Sequence, residues 1–139
     1  MATDSATKTL DILARTIYGE ARGESLAGKV AVAYTIVNRA ARPSWWGKTV
    51  VEVCLKPWQY SCWNANDPNS QLIKEVTLES HSFRDCFGVA CLVLNRTLPD
   101  PVSGATHYYA LSMPSPPSWA AALKSITVIG GHKFFLEKV

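Results

Sequence analysis

The 139-residue sequence is poor in charge and holds no long apolar run. Charged residues make up 18%, and no five like charges follow one another, which argues against disorder and against a basic or acidic tail. No stretch reaches the roughly 18 to 20 apolar residues of a membrane span; the longest candidates are broken by Asn38 and Arg39 and by Arg84 and Asp85. The N-terminus, "MATDSATKTLDILART", has no basic start leading into an apolar stretch, because Asp4 and Asp11 interrupt it. A secretion signal is therefore not expected, and the chain reads as made in the cytoplasm. Zinc spacings are missing too: there is no CxxC pair, and His81, His107 and His132 lie far apart, so no metal site and no cofactor are expected. If Cys86 and Cys91 share a helix, their Cα atoms stand about 8.6 Å apart, beyond disulfide reach. The four cysteines are read as free, partly buried thiols, with Cys54–Cys62 the one pairing left open.

What is present is 47% hydrophobic content, enough for a single domain, 1–139 with its core at about 10–135, that needs no metal or disulfide staple. The net charge of +3 favours approach to an anionic polymer such as a cell wall or a nucleic acid, but is ordinary for a soluble protein.

Leu10, Leu13, Ala14, Ile17, Tyr18 and Ala21 recur at helical spacing, with Thr9 or Thr7 available as N-cap. On that wheel Glu20 lies about 20° from Leu13, at the border of the apolar face, and Gly19 and Gly23 then loosen or end the helix. Ser25 can cap a second, mostly buried helix through Leu26, Val30, Ala33, Tyr34 and Val37, stopped by Pro43. "PSWWGKT" reads as a turn before a short element "TVVEVCL", and "PWQYSCWNANDPNSQ" as an aromatic loop. Residues 70–95 are helix-compatible, with a break expected near 81–84. After the loop "LPDPVSGAT", "THYYAL" and "SITVIGGHKFFLE" read as strands, the latter folded at Gly130-Gly131 into a two-residue hairpin. Helices first and a small antiparallel sheet last make the class α+β.

The heptapeptide "YGEARGE", residues 18–24, allows two readings. Either a helix stops there and charges cover the corner, or one glutamate is a catalytic acid at the edge of the core. "ARTIYGEARGESLAGKVAVAYTIVNR", "KPWQYSCWN" followed by "DPN", and "DPVSGATHYYA", "PSW" and "ITVIGGHKFF" together resemble the SleB/CwlJ-type cell wall hydrolases, spore cortex-lytic enzymes with bacterial and phage relatives. The likeness runs over about residues 10–135. It implies a lysozyme-like catalytic domain, mainly helical with a small C-terminal antiparallel sheet, that cuts peptidoglycan glycan strands with Glu20 as general acid. In the spore enzymes the reaction is that of a lytic transglycosylase, and their separate peptidoglycan-binding domain has no counterpart in this chain. A lone catalytic domain looks like a phage endolysin, released to the wall when a holin opens the membrane. The expected partner is the glycan strand, with no nucleic acid, no integral membrane segment and a monomeric state.

The chemistry fits Glu20. Breaking a β-1,4 glycosidic bond needs a carboxylic acid still protonated near neutral pH, and apolar neighbours such as Leu13 and Ile17 disfavour the charged form. The competing view makes Glu20 a boundary residue capping or pairing with Arg22 or Arg39. Glu24 is read as bonding turn amides or supporting the cleft. Tyr60, Ser61, Trp63 and Asn64 suit a sugar-binding wall, aromatic faces covering a pyranose while amides and hydroxyls bond its polar groups; core packing is the alternative for Trp63. His107 and Tyr108 on the first strand, and Trp119 in "PSW", join the substrate-binding candidates, with Tyr108 on the strand face opposite His107 and Tyr109. Asp67 and Asp100, each before a proline, sit where an aspartate bonds its own backbone. A single glutamate can protonate the leaving oxygen and then accept the proton of an attacking hydroxyl, so 1,6-anhydromuramic acid ends are expected. The alternatives are a muramidase with Asp67 as second carboxylate, a non-catalytic wall-binding module, and a zinc amidase.

Overall fold

A computed structural model describes residues 2–137, with side chains from residue 5. Five helices precede three strands: α1 (Ala2–Ala21), α2 (Leu26–Ala41), α3 (Val50–Leu55), α4 (Asn69–Glu75), α5 (His81–Leu94), then β1 (His107–Ala110), β2 (Lys124–Ile129) and β3 (His132–Leu136). Short 3-10 turns cover Ser61–Trp63 and Ser118–Ala122. The α+β expectation holds, and the chain is mainly helical.

Helix α1 begins well before the expected start. Neither Thr7 nor Thr9 caps it, and the Thr9 hydroxyl donates to the Ser5 carbonyl (3.0 Å) inside the helix. No glycine or proline stands before Gly19 to stop a helix nucleated on the core from extending backward. The apolar stripe is as read, with Leu13, Ala14, Ile17, Tyr18 and Ala21 buried. Gly19 does not end α1, which runs on to Ala21.

Helix α2 is the centre of the molecule, with every residue from Gly28 to Asn38 buried. Ser25 Oγ accepts from the Gly28 amide (3.2 Å) as the expected N-cap, and the helix stops at Ala41, two residues before Pro43. The element after "PSWWGKT" is α3, capped by Thr49, whose hydroxyl accepts from the Glu52 amide (3.1 Å). The break expected at 81–84 falls instead at 76–80. Ser80 Oγ accepts from the Phe83 amide (3.2 Å), so 81–84 is the first turn of α5. Arg15 secures the break by donating to the carbonyls of Ile73 (2.7 Å) and Val76 (2.8 Å).

The sheet is antiparallel in the order β1-β3-β2. Ile129 pairs with His132 across a two-residue turn, as expected, with Gly130 at φ +57°. Phe134 is fully buried beneath it. Tyr108 packs on Phe134, while His107 and Tyr109 meet Trp119 on the other face, the alternation read from the sequence. All four cysteines are free thiols, Cys54, Cys62 and Cys86 buried and Cys91 partly so; the open Cys54–Cys62 pairing is not formed. No helix among the described residues is long and apolar enough to cross a membrane.

Candidate active site

The last turn of α1, the end of α2, the 56–60 segment and β1 converge on a cleft of about 520 Å³. Glu20 lines it and, among the described residues, is the only acidic group that does. The Tyr108 hydroxyl donates to Glu20 Oε1 at 3.0 Å, joining the helix to the sheet across 88 residues of sequence. Burial, and then the charge of Glu20, push the Tyr108 phenol well above its ordinary range, so it stays a donor. The same two causes, in the same order, raise the Cys62 thiol beside Glu20. The carboxylate is thus bordered by groups that keep their protons.

Neither arginine considered as a partner pairs with Glu20. Among the described residues the ion pairs within 4 Å are Arg15–Asp11 and the contact of His132 with Glu24. Arg22 bonds the Tyr18 carbonyl (3.0 Å) and Asn69 Oδ1 (2.8 Å), with its guanidinium over the Tyr18 ring. Arg39 Nε donates to the Thr106 carbonyl (2.7 Å), and its guanidinium lies 5.2 Å from the Trp46 ring centroid.

Of the other sequence candidates, Tyr60, His107, Tyr108 and Trp119 line the cleft with Glu20. Tyr60 is buried, and its hydroxyl has no hydrogen-bond partner among the described residues, nor has Oε1 of the neighbouring cleft residue Gln59. His107 is pushed down to about 4, first by burial and then by Arg39, so its ring is neutral near pH 7; Nδ1 lies 2.9 Å from the Thr106 hydroxyl. The structure does not bring Ser61, Trp63, Asn64 or Glu24 into this cleft. Ser61 is exposed at the start of its 3-10 turn. Trp63 and Asn64 line a neighbouring depression of about 450 Å³ that shares Lys56, Pro57 and Trp58 with the cleft. Trp63 also donates through Nε1 to the Thr16 hydroxyl (2.9 Å), so it packs against the core as well. Glu24 accepts from the Gly131 amide (2.9 Å), an amide of the β2–β3 hairpin and not of the turn that follows α1, where its partner was expected.

Sequence reasoning missed Trp45, Trp58, Arg39 and Lys56, all of which line the cleft. Trp45 is 60% and Trp58 76% exposed, and Trp58 sits at φ +67°. Tryptophans in turn-rich segments were the available signal, but it does not separate these two from Trp46, which is buried, or from Trp63, which packs on the core. Asp67 and Asp100 are occupied as read. Asp67 Oδ1 accepts from the Asn69 amide (2.8 Å), and Asp100 from the amides of Val102 and Gly104 (both 2.8 Å). Neither lines the cleft.

A helical body and a small antiparallel sheet thus hold one glutamate in an aromatic cleft between them, the arrangement of a candidate active site. Residues 23–135 match the family model described as Cell Wall Hydrolase, and the chain belongs to that family. The match opens after Glu20, so the place of that residue rests on the geometry. Two solved structures share the fold at TM-score 0.69. The catalytic domain of the germination-specific lytic transglycosylase SleB from Bacillus anthracis is 24% identical, over 91% of this chain and 93% of that one. The catalytic domain of the Bacillus cereus SleB protein is 23% identical, over 93% and 90%. Comparison with curated protein sequences gives no match.

Proposed function

We propose that this enzyme cleaves the β-1,4 bond between N-acetylmuramic acid and N-acetylglucosamine of peptidoglycan as a lytic transglycosylase. The observation that carries the reading is the single carboxylate in the cleft. Hydrolytic glycosidases set two carboxylates about 5 to 9.5 Å apart across the scissile bond, and here Glu20 has no acidic companion among the described lining residues. Tyr108 engages Oε1, which leaves Oε2 to carry the transferable proton. Glu20 gives that proton to the leaving glycosidic oxygen as the bond to the anomeric carbon breaks. The muramic acid C6 hydroxyl then bonds to the same carbon and returns its proton to Glu20. No water is consumed, and the product carries a 1,6-anhydro ring.

The exposed rings of Trp45 and Trp58 suit the apolar faces of pyranoses, and Arg39 and Lys56 favour an anionic strand. The neighbouring depression at Trp63 and Asn64 gives the strand a place to continue. The role we infer is that of a monomeric phage endolysin, reaching the wall after release from the cytoplasm; lysis of producing cells only when a holin is co-expressed tests that setting.

Mass spectrometry of digested peptidoglycan tests the reaction. The expected ends resist borohydride and are one water lighter than lysozyme products. Reducible muramic acid ends would make the enzyme a muramidase, and reducible N-acetylglucosamine ends a glucosaminidase.

A further inference from the structure

An unbroken set of contacts leads from the second glutamate of the motif to the first. The Gly131 amide donates to Glu24 Oε1 (2.9 Å), and His132 Nδ1 lies 3.7 Å from the same oxygen. That nitrogen is buried and has no hydrogen-bond partner among the described residues, so the carboxylate is the polar group it faces. The His132 ring meets the Tyr108 ring edge-on, with centroids 5.1 Å apart and planes at 88°. Phe134 backs Tyr108 at 5.7 Å, and the Tyr108 hydroxyl ends on Glu20 Oε1 at 3.0 Å.

Glu24 is gripped from both sides. A Cβ on Gly28 would stand 2.8 Å from Glu24 Cβ, and one on Gly130 would collide with Glu24 Oε1. The carboxylate thus fills a slot between the start of α2 and the hairpin that glycines keep open. Strand β1 has four residues and bonds to one neighbour, β3. Its backbone pairing is short, so what Tyr108 packs against weighs heavily in where its hydroxyl falls.

We propose that Glu24 and His132 are positioning residues: Glu24 pins the hairpin, His132 sets the Tyr108 ring, and Tyr108 thereby holds the Glu20 carboxyl in its working orientation. The inference rests on the proposed role of Glu20. It explains why one motif carries two glutamates of which only one lines the cleft. The second acts on the first through the sheet, and displacement by an ångström is enough to cost a reaction about a hundredfold.

A double-mutant cycle tests this on purified peptidoglycan, with folding checked by circular dichroism. Glu24→Ala and His132→Gln are each expected to lower kcat about tenfold with KM little changed, and to add nothing further in a Tyr108→Phe background. Glu24→Gln, which keeps an oxygen for the Gly131 amide, is expected to restore most of the rate. It also carries the cycle if Glu24→Ala fails to fold. The Tyr108 ring resonances should move in Glu24→Ala and His132→Gln whether or not the enzyme is active. Losses that add to that of Tyr108→Phe, or unmoved Tyr108 resonances, would overturn the inference. Full activity of Glu20→Gln would instead sink the reading it rests on.

Discussion

Gly19 and Cys62 touch so closely that a Cβ added to Gly19 would stand 2.6 Å from Cys62 Cβ and 2.7 Å from its Sγ. Gly19 thus lets the 61–63 turn lie directly on α1, the contact falling one residue before Glu20 and two after Tyr60. Its helix-breaking tendency is beside the point, since α1 continues through it.

Gly19→Ala is therefore expected to destabilise despite the better helix propensity of alanine. That propensity gains about 1 kcal/mol, whereas forcing a methyl into a packed contact costs about 1–3 kcal/mol. Cys62 Cβ is fixed to the backbone and cannot swing away, so the upper part of that range applies. Gly23→Ala is the control: nothing lies within 4 Å of its Cβ, and its effect should stay within about 0.5 kcal/mol. Thermal melts of the two variants decide the point, equal melting temperatures counting against it.

Glu20→Gln is expected to keep the fold and lose activity by about 10²–10⁴-fold, the usual worth of a general acid-base group. Glutamine preserves an oxygen for Tyr108 but has no proton to transfer. Turbidity loss on purified walls, beside circular dichroism, gives the measurement. An active Glu20→Gln together with an inactive Glu24→Gln would move the chemistry to Glu24.

The elements legible in the sequence were those whose signals are local. The stripe from Leu13 to Ala21, the Ser25 cap and the Gly130-Gly131 turn each depend on neighbours within a few residues. The border position of Glu20 followed from the same helical period. What the sequence hid depends on partners far away. The end of α4 is held by Arg15, 58 residues from Ile73, and Glu24 bonds an amide 107 residues on. The places of Trp45 and Trp58 on the cleft beside Glu20 and Tyr108 follow from the tertiary fold, which no periodicity records. Trp63 and Asn64 were grouped with Tyr60 because they adjoin it in sequence, yet the 3-10 turn carries them round to the next depression.

His107 gives a pH dependence with a definite sign. Its folded pKa, lowered to about 4 chiefly by burial, lies below the unfolded value of about 6.5. The neutral ring therefore favours the fold, fully so above pH 6.5, and this contribution is lost as pH falls toward 4. His107→Phe keeps an aromatic ring against Trp46 and Trp119 but cannot titrate. The melting temperature of the wild type should drop more steeply between pH 6.5 and 4 than that of the variant. Parallel curves would mean that His107 is protonated in the fold as easily as in the unfolded chain.

Tyr60→Phe should separate stability from activity. The Tyr60 hydroxyl is buried without a partner among the described residues, and the nearby Thr35 hydroxyl donates elsewhere, to the Val32 carbonyl at 2.6 Å. A buried hydroxyl left unbonded costs about 1–3 kcal/mol, so its removal is expected to leave the melting temperature unchanged or raise it. Tyr60 also lines the cleft beside Glu20; its hydroxyl oxygen is sealed in the free protein, so a sugar bonds it only as binding shifts the cleft wall. Activity on peptidoglycan should accordingly fall, by about 10-fold if one neutral hydrogen bond of about 1.4 kcal/mol is lost in the transition state. A lower melting temperature with unchanged turnover would show the opposite, a hydroxyl that serves the fold and not the sugar.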